Sequence, residues 1–510
     1  MRISRVYIVV GLGMVATAAI LWVLAGSFSA AEAGRILGSG ASVSTDLQDV
    51  RVERPVRLVS TPTFDEVPGY PLFRNYVPDD YGPDLPSQNW AITQDDRGII
   101  YVGNPAGVLA YDGAGWRLIP TENRTLVRTV FRDSTGRVYV GAYGEIGYLA
   151  PDASGTMRFV SLQDKIPPAH RSFGHTWSGI AVSSGIYFQT RRAIYRWDGA
   201  KMDVWTTSEA ARFYKLFAVR DTVYVARENV GLHQIANGRL EPVPGGERFT
   251  NTSVATIMPY GDDGLLIGTV ASELFLRRNG QIERFRTDVD GFLQANELYT
   301  ATVLPDGSYA FATLWGGVVI TDRSGRALRI LDKRAGLIGD DVKALFVDRQ
   351  EGLWMAYESG IARAEIMLPI SMFDDRTGLD GVALSITRHN GTLHVGTTSG
   401  VFRLSREISA DGTVRPSFER VTALRAQAFA LLSHPDGLLT ATDRGVFQLT
   451  GGRARSVAES RTAYGLHASR HTDGLVYVGY IDGVGTMQYR NGRWERQPTI
   501  PSLDCGIFFL

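Results

Sequence analysis

A repeat constrains this chain more than any other feature. Trp90 to Tyr111 reads WAITQDDRGIIYVGNPAGVLAY, and Val127 to Leu149 reads VRTVFRDSTGRVYVGAYGEIGYL. Ala383 to Leu404, Ala428 to Leu449 and Gly465 to Tyr489 follow the same plan. Each has an apolar strand, a polar turn ending in Gly, a short second strand, another turn and a third strand. A small residue closes the second strand at Gly103, Gly141, Ala226, Gly268, Ala312, Ala356, Gly396, Ala441 and Gly479, with Gln189 in a divergent third unit. The nine steps between these ten marks average about 42 residues, the length of a four-strand repeat.

The runs alternate apolar and polar positions with the period of a strand and are rich in Val, Ile, Tyr, Phe and Thr. Asp306-Gly307, Asn390-Gly391, Asp436-Gly437, Asp473-Gly474 and Asn491-Gly492 supply tight hairpin turns. One four-stranded sheet cannot cover both of its faces. Stacking sheets radially about an axis covers them and leaves only short edges. The expected fold is therefore all-β, a β-propeller of four-stranded blades. The small residue at each mark is expected near the crowded axis. Trp116, Phe159, Trp205, Phe285, Phe373 and Trp494 are expected between neighbouring blades. A sandwich would not hold one register over ten units, and helical repeats need a periodicity that is absent here.

The N-terminus carries Arg2 and Arg5, an apolar run from Val6 to Ala25, and small residues around Ala31-Glu32-Ala33. That is the pattern of a secretory signal or, at about 20 residues, of a membrane anchor helix. Residues 1–33 are read as signal peptide or anchor. Both alternatives put the rest of the chain outside the cytoplasm, periplasmic or extracellular. Residues 34–86, broken by Pro55, Pro62, Pro68, Pro71, Pro78, Pro83 and Pro86, are read as an irregular strap.

Composition excludes several functions. Lys+Arg and Asp+Glu both number 53, so no basic excess points to nucleic acid. Cys505 is the single cysteine, which rules out an intrachain disulfide, a CxxC pair and a multi-cysteine zinc site. His467 and His471 lack an HExxH context, and no Gly-x-Ser-x-Gly occurs. The pairs Asp95/Asp96, Asp262/Asp263, Asp340/Asp341 and Asp374/Asp375 are read as solvated turn residues. No catalytic residue, metal or cofactor is assigned.

Two segments carry a family likeness. Leu337 to Asp348 with Glu351-Gly352-Leu353-Trp354-Met355-Ala356 resembles the two-component-regulator propeller repeat, and Gly378-Leu379 through Val401-Phe402 repeats it. Trp90 through Tyr148, with Asn104, Tyr111-Asp112-Gly113, Trp116 and Gly144 to Tyr148, resembles the first blades of sensor halves in that family. Units three to six depart from the pattern at Gln189 and Ala226. The resemblance implies a seven-bladed ring at 87–369, which leaves about three units at 370–510 for an incomplete second ring. The apolar end from Cys505 to Leu510 on an open blade edge is read as a truncation, with a closed ring of eight to ten blades as the alternative. It also implies ligand sensing, often of saccharides. A kinase, regulator or cyclase output would lie outside this chain.

The expected function is thus an extracytoplasmic sensor input module, not an enzyme, that takes a small-molecule or saccharide ligand or a partner protein at a propeller mouth. A propeller enzyme (lyase or glycosidase) and a pure interaction scaffold are the alternatives. The membrane enters only through the N-terminal segment, and a homodimer is compatible with the sequence. Ligand-binding residues are expected on inter-strand loops. Arg171, His175 and Trp177 combine a donor fork with aromatic faces. Tyr143 and Glu145 follow the second mark, and Trp315 follows the sixth as a stacking platform.

Overall fold

The turns explain why each repeat becomes an antiparallel meander. The computed structural model describes residues 8–11, 69–408, 414–458 and 460–500, and arranges them mainly as ten four-stranded sheets. In the sheets that begin at Ala91, Val127 and Val342 the first hairpin is built on an aspartate. Asp95 Oδ1 accepts the backbone N–H groups of Arg97 (2.9 Å) and Ile99 (3.0 Å), while Oδ2 accepts the Tyr101 hydroxyl (3.0 Å). Asp133 does the same with Thr135, Arg137 and Tyr139. Asp348 does so with Gln350, Gly352 and the Trp354 indole. The side chain imitates a backbone turn and pins it to an aromatic on the second strand.

This corrects the reading of the paired carboxylates. Asp95 and Asp374 are buried and ion-paired with Arg97 and Arg376, whereas Asp96 and Asp375 are exposed. In these two turns one carboxylate faces inward to meet N–H groups and its neighbour stays exposed, Asp96 pairing there with Arg132 and Arg349. Asp340 and Asp341 are half-buried, and Asp262 and Asp263 are both exposed, as expected.

Seven sheets, at 91–119, 127–161, 178–206, 213–242, 254–284, 298–331 and 342–364, form a cycle. The first strand of each touches the first strand of the next, and that of the seventh touches that of the first. A buried apolar cluster fills every junction. The closing junction joins Val102, Leu109 and Tyr111 to Trp354, Ala356 and Ile361. The seventh sheet takes its outer strand from the other end of the ring, because Phe73–Tyr76 pairs antiparallel with 361–364. The strap expected over 34–86 therefore contains, in its described part, a strand of the ring. Trp116 meets Tyr76 across this junction at 5.3 Å, and Tyr76 stacks on Trp354 at 5.6 Å.

The marked residues lie in the second strand of each sheet, where it meets the first strand of the next. A Cβ on Gly103 would stand 3.0 Å from the Val127 carbonyl oxygen. One on Gly268 would stand 2.7 Å from a Leu298 methyl, and one on Gly396 2.8 Å from the Ala428 carbonyl oxygen. Val127, Leu298 and Ala428 each open the next first strand. Gln189 replaces this close approach with a hydrogen bond: its Nε2 donates to the Phe213 carbonyl at 2.9 Å, and its Oε1 accepts from Ser178 Oγ at 2.8 Å.

Three further sheets, beginning at Ala383, Ala428 and Ala463, stack in a row. A buried ion pair, Arg415 with Asp332 at 2.6 Å, ties them to the sixth sheet of the ring. Near the N-terminus only residues 8–11 are described, as a short strand beside Ile370–Phe373. The rest of the expected signal or anchor, residues 34–68 of the strap, and Cys505 to Leu510 lie outside the described residues. Among the described residues no helix is long and apolar enough to cross a membrane.

Asp348 offers a test of the turn chemistry. Burial pushes its pKa up, but hydrogen bonds from Arg363, Trp354 and Gly352 outweigh burial and hold it below the ordinary carboxylate value. Its contribution is then complete above the unfolded-state pKa of about 4 and is lost as pH falls through the folded-state value. Asp348→Ala should lower the unfolding free energy at pH 7 by about 3 kcal/mol in urea titrations. The gap between wild type and Asp348→Asn should narrow below about pH 4.

Candidate functional site

In every sheet the first strand starts, and the second ends, on the same face of the ring. Loops between second and third strands, and links from one sheet to the next, therefore crowd that face. All six residues expected to bind ligand come from these loops, but the structure sorts them. Tyr143 is half exposed and meets His175 edge-on at 4.9 Å, in an isolated β-bridge. His175 meets Trp177 at 5.3 Å. His175 and Trp177 line a cleft of about 640 Å³ with Phe173, Arg191, Tyr195 and Arg212.

The other three do not join them. Glu145 is buried and its oxygens are occupied: Oε1 accepts from the Asn123 backbone (3.1 Å) and side chain (2.9 Å), and Oε2 from Thr125 Oγ1 (2.5 Å). Arg171 turns back on its own loop and donates to the carbonyls of Ile166 (2.9 Å) and Asp164 (3.1 Å). Trp315 is 64% exposed on the sixth sheet and does not line the cleft.

A second group, which shares Trp177 and Arg191 with the cleft, escaped the sequence reading. In five ring sheets the first strand begins with a bulge: pairing slips between Val127 and Thr129, Phe213 and Lys215, Val254 and Thr256, Leu298 and Thr300, and Val342 and Ala344. The extra residue leaves the ladder. It is Arg128, Tyr214, Ala255, Tyr299 or Lys343. In the first and third sheets the matching residues are Trp90 and Trp177, whose N–H groups donate to the carbonyls of Gly103 and Gln189. Seven sheets thus send one residue each toward the centre. The Arg128 guanidinium lies 4.4 Å from the ring centres of both Trp90 and Trp177. Arg191 lies 5.2 Å from Trp177. Lys215 and Lys343 approach Tyr299 at 5.8 and 5.7 Å. A usable signal existed, since each of these residues stands twelve or thirteen positions before its mark.

The electrostatics follow from burial. Desolvation pulls the Lys215 pKa down to about 8, and its Nζ donates to the Ala255 carbonyl at 3.0 Å. Burial lowers the Arg128 pKa and raises that of Tyr299. Burial, then the charge of Arg128, lowers the pKa of His175, which favours its neutral imidazole. Glu228 pairs with Arg191, and Glu209 with Arg192 and Arg212. Among the described residues no three His, Cys, Asp or Glu side chains converge as a metal site.

These placements separate scaffold from surface. Glu145→Ala should lower the unfolding free energy by about 2 kcal/mol, because its buried donors lose their acceptor. Tyr143→Ala and Trp315→Ala should stay within about 0.5 kcal/mol of wild type. Denaturant midpoints of the three variants check both statements.

No protein-family model and no curated protein matches the chain. Solved structures do. The extracellular domain of the hybrid two-component system BT3049 from B. thetaiotaomicron aligns over 85% of this chain and 61% of its own length, with 14% identity and a TM-score of 0.59. The corresponding domain of BT4673 from the same organism aligns over 84% and 61%, with 16% identity and a TM-score of 0.47. Virginiamycin B lyase from Staphylococcus aureus aligns over 57% of this chain and 97% of its own, with 14% identity and a TM-score of 0.44. The chain spans 61% of the length of the extracellular domains it matches. At this identity the likeness to the BT3049 domain establishes the fold alone: the chain is a β-propeller protein.

Proposed function

We propose that this chain is an extracytoplasmic sensor input module whose ligand enters the cleft at His175 and Trp177, with Tyr143 on its rim. The observation that carries this reading is the convergence of aromatic and cationic side chains from all around the ring at one mouth of its channel. Propellers carry binding groups there, and a cleft with a few placed polar groups among aromatic walls suits a small ligand. Aromatic faces beside arginine donors favour a polyhydroxylated ligand such as a saccharide.

The fold likeness to extracellular domains of hybrid two-component systems supports the sensor role, and the signal-like N-terminus supports export. Glycoside hydrolysis requires two carboxyl groups across the substrate. Glu209 at the cleft is held by Arg192 and Arg212, and Glu228 by Arg191, so neither stands ready for that role. An output domain would belong to a longer protein that contains this input.

Thermal-shift measurements of the purified chain against neutral and acidic oligosaccharides test the proposal. At least one should raise Tm by about 2–8 °C at saturation. Trp177→Ala, folded and of near wild-type Tm without ligand, should abolish the rise. No shift with any oligosaccharide overturns the saccharide reading.

A further inference from the structure

The wall of the channel mouth contains a cation without a partner. Arg128 has its guanidinium between two indole faces, and among the described residues it donates no hydrogen bond and joins no ion pair. Its Nε is shielded from solvent and unsatisfied. A guanidinium carries five N–H donors, and leaving them unused in a partly desolvated place is costly. Stacking on Trp90 and Trp177 satisfies the faces of the group but not its edge.

The nearby carboxylates are already engaged. Glu358 accepts from Gln88 at 2.5 Å and stands 3.8 Å from Lys343. Glu228 and Glu209 pair with arginines of the loops. Glu145 is closed by Asn123 and Thr125. Lys215, the second cation without a carboxylate, hydrogen-bonds the Ala255 carbonyl and lies over the rings of Phe217 and Tyr299. A chain whose formal charge is zero thus concentrates two uncompensated positive charges at one mouth.

We propose that this mouth is a carboxylate-binding site: Arg128 clamps the acid group of a small organic ligand, Lys215 supplies the second charge, and the Trp and Tyr rings hold the ligand's flat face. The proposal rests on the mouth being the ligand site and adds the ligand's chemical class. An arginine edge matches a carboxylate with two parallel N–H···O bonds. A planar carboxylate pairs in the plane of the guanidinium and so reaches its N–H edge without displacing the indoles, each 4.4 Å from the cation. A sulfate or phosphate would push oxygens out of that plane toward the electron-rich ring faces. The acid could belong to a uronic-acid sugar or to a free aromatic acid, which share this group.

Titration calorimetry of the full chain at low salt, with four probes, tests the site. The probes are trigalacturonate, its neutral counterpart galactotriose, benzoate and inorganic sulfate. A carboxylate probe should bind at least tenfold more tightly than galactotriose and sulfate, and salt should weaken it. Trigalacturonate alone binding assigns the acid to a sugar, and benzoate binding assigns it to a free aromatic acid. Arg128→Gln should abolish binding, and Arg128→Lys should weaken it at least tenfold because the fork is lost. Lys215→Met should weaken it several-fold. Without ligand, Arg128→Gln should keep or raise Tm, since it removes an unpaired desolvated charge.

A fall in the ligand-free Tm of Arg128→Gln by more than about 5 °C would mean a structural role and overturn the proposal. Equal binding of galactotriose, unaffected by Arg128→Gln, overturns the carboxylate site and leaves the saccharide-sensor reading standing. Sulfate binding as tightly as the carboxylates overturns the planar clamp. Failure of both carboxylates at millimolar concentration overturns the proposal, whereas the sensor reading falls only if the neutral sugars also fail.

Discussion

The ring rests on one recurring close approach: the end of each second strand against the residue that opens the next sheet. A small side chain fits there, as Gly103 against Val127 and Gly268 against Leu298 show, and only Gln189 among the ring's marks replaces it with a hydrogen bond. The spacing set at this point lets the apolar clusters form on both faces of every sheet. It also shapes the channel. The residue that pairs with the mark is the first one after the bulge: Thr129 with Gly141, Thr256 with Gly268, Thr300 with Ala312 and Ala344 with Ala356. The crowded spot that demands a small residue on one strand sits beside the place where the other strand ejects an extra one. Packing between sheets and the side chains of the mouth therefore share a single geometric cause.

Groups positioned this way are held by strands rather than by long loops, which favours a preorganised site. Arg128 is fixed on both faces by indoles, and Lys215 by the neighbouring sheet's carbonyl. The loops add the cleft wall of His175 and Trp177, which can differ between proteins without disturbing the ring.

The repeat, the strand order and the tight turns were legible because they depend on local pattern. Tyr143, His175 and Trp177 were legible as polar and aromatic residues clustered in loops. Glu145 was misread because its donors, Asn123 and Thr125, lie about twenty residues upstream and reach it only through the fold. Arg171 was misread because its fork found carbonyls of its own loop. The central residues were invisible to a period-two reading, since a bulge breaks the alternation at the very residue that matters. The strand Phe73–Tyr76 was hidden among prolines, and its partner lies about 290 residues away.

That distant partner has a consequence for how the protein is made. Phe73–Tyr76 leaves the ribosome before any complete sheet of the ring, yet it has nothing to bind until Ala364 has followed. Six sheets can assemble in sequence while the strand waits unpaired, and the seventh presents a bare edge until it arrives. Such long-range closure is slow. The open ring is thus the species most exposed to pairing with the wrong chain, and a helper that shields this strand during biogenesis would act on yield rather than on final stability.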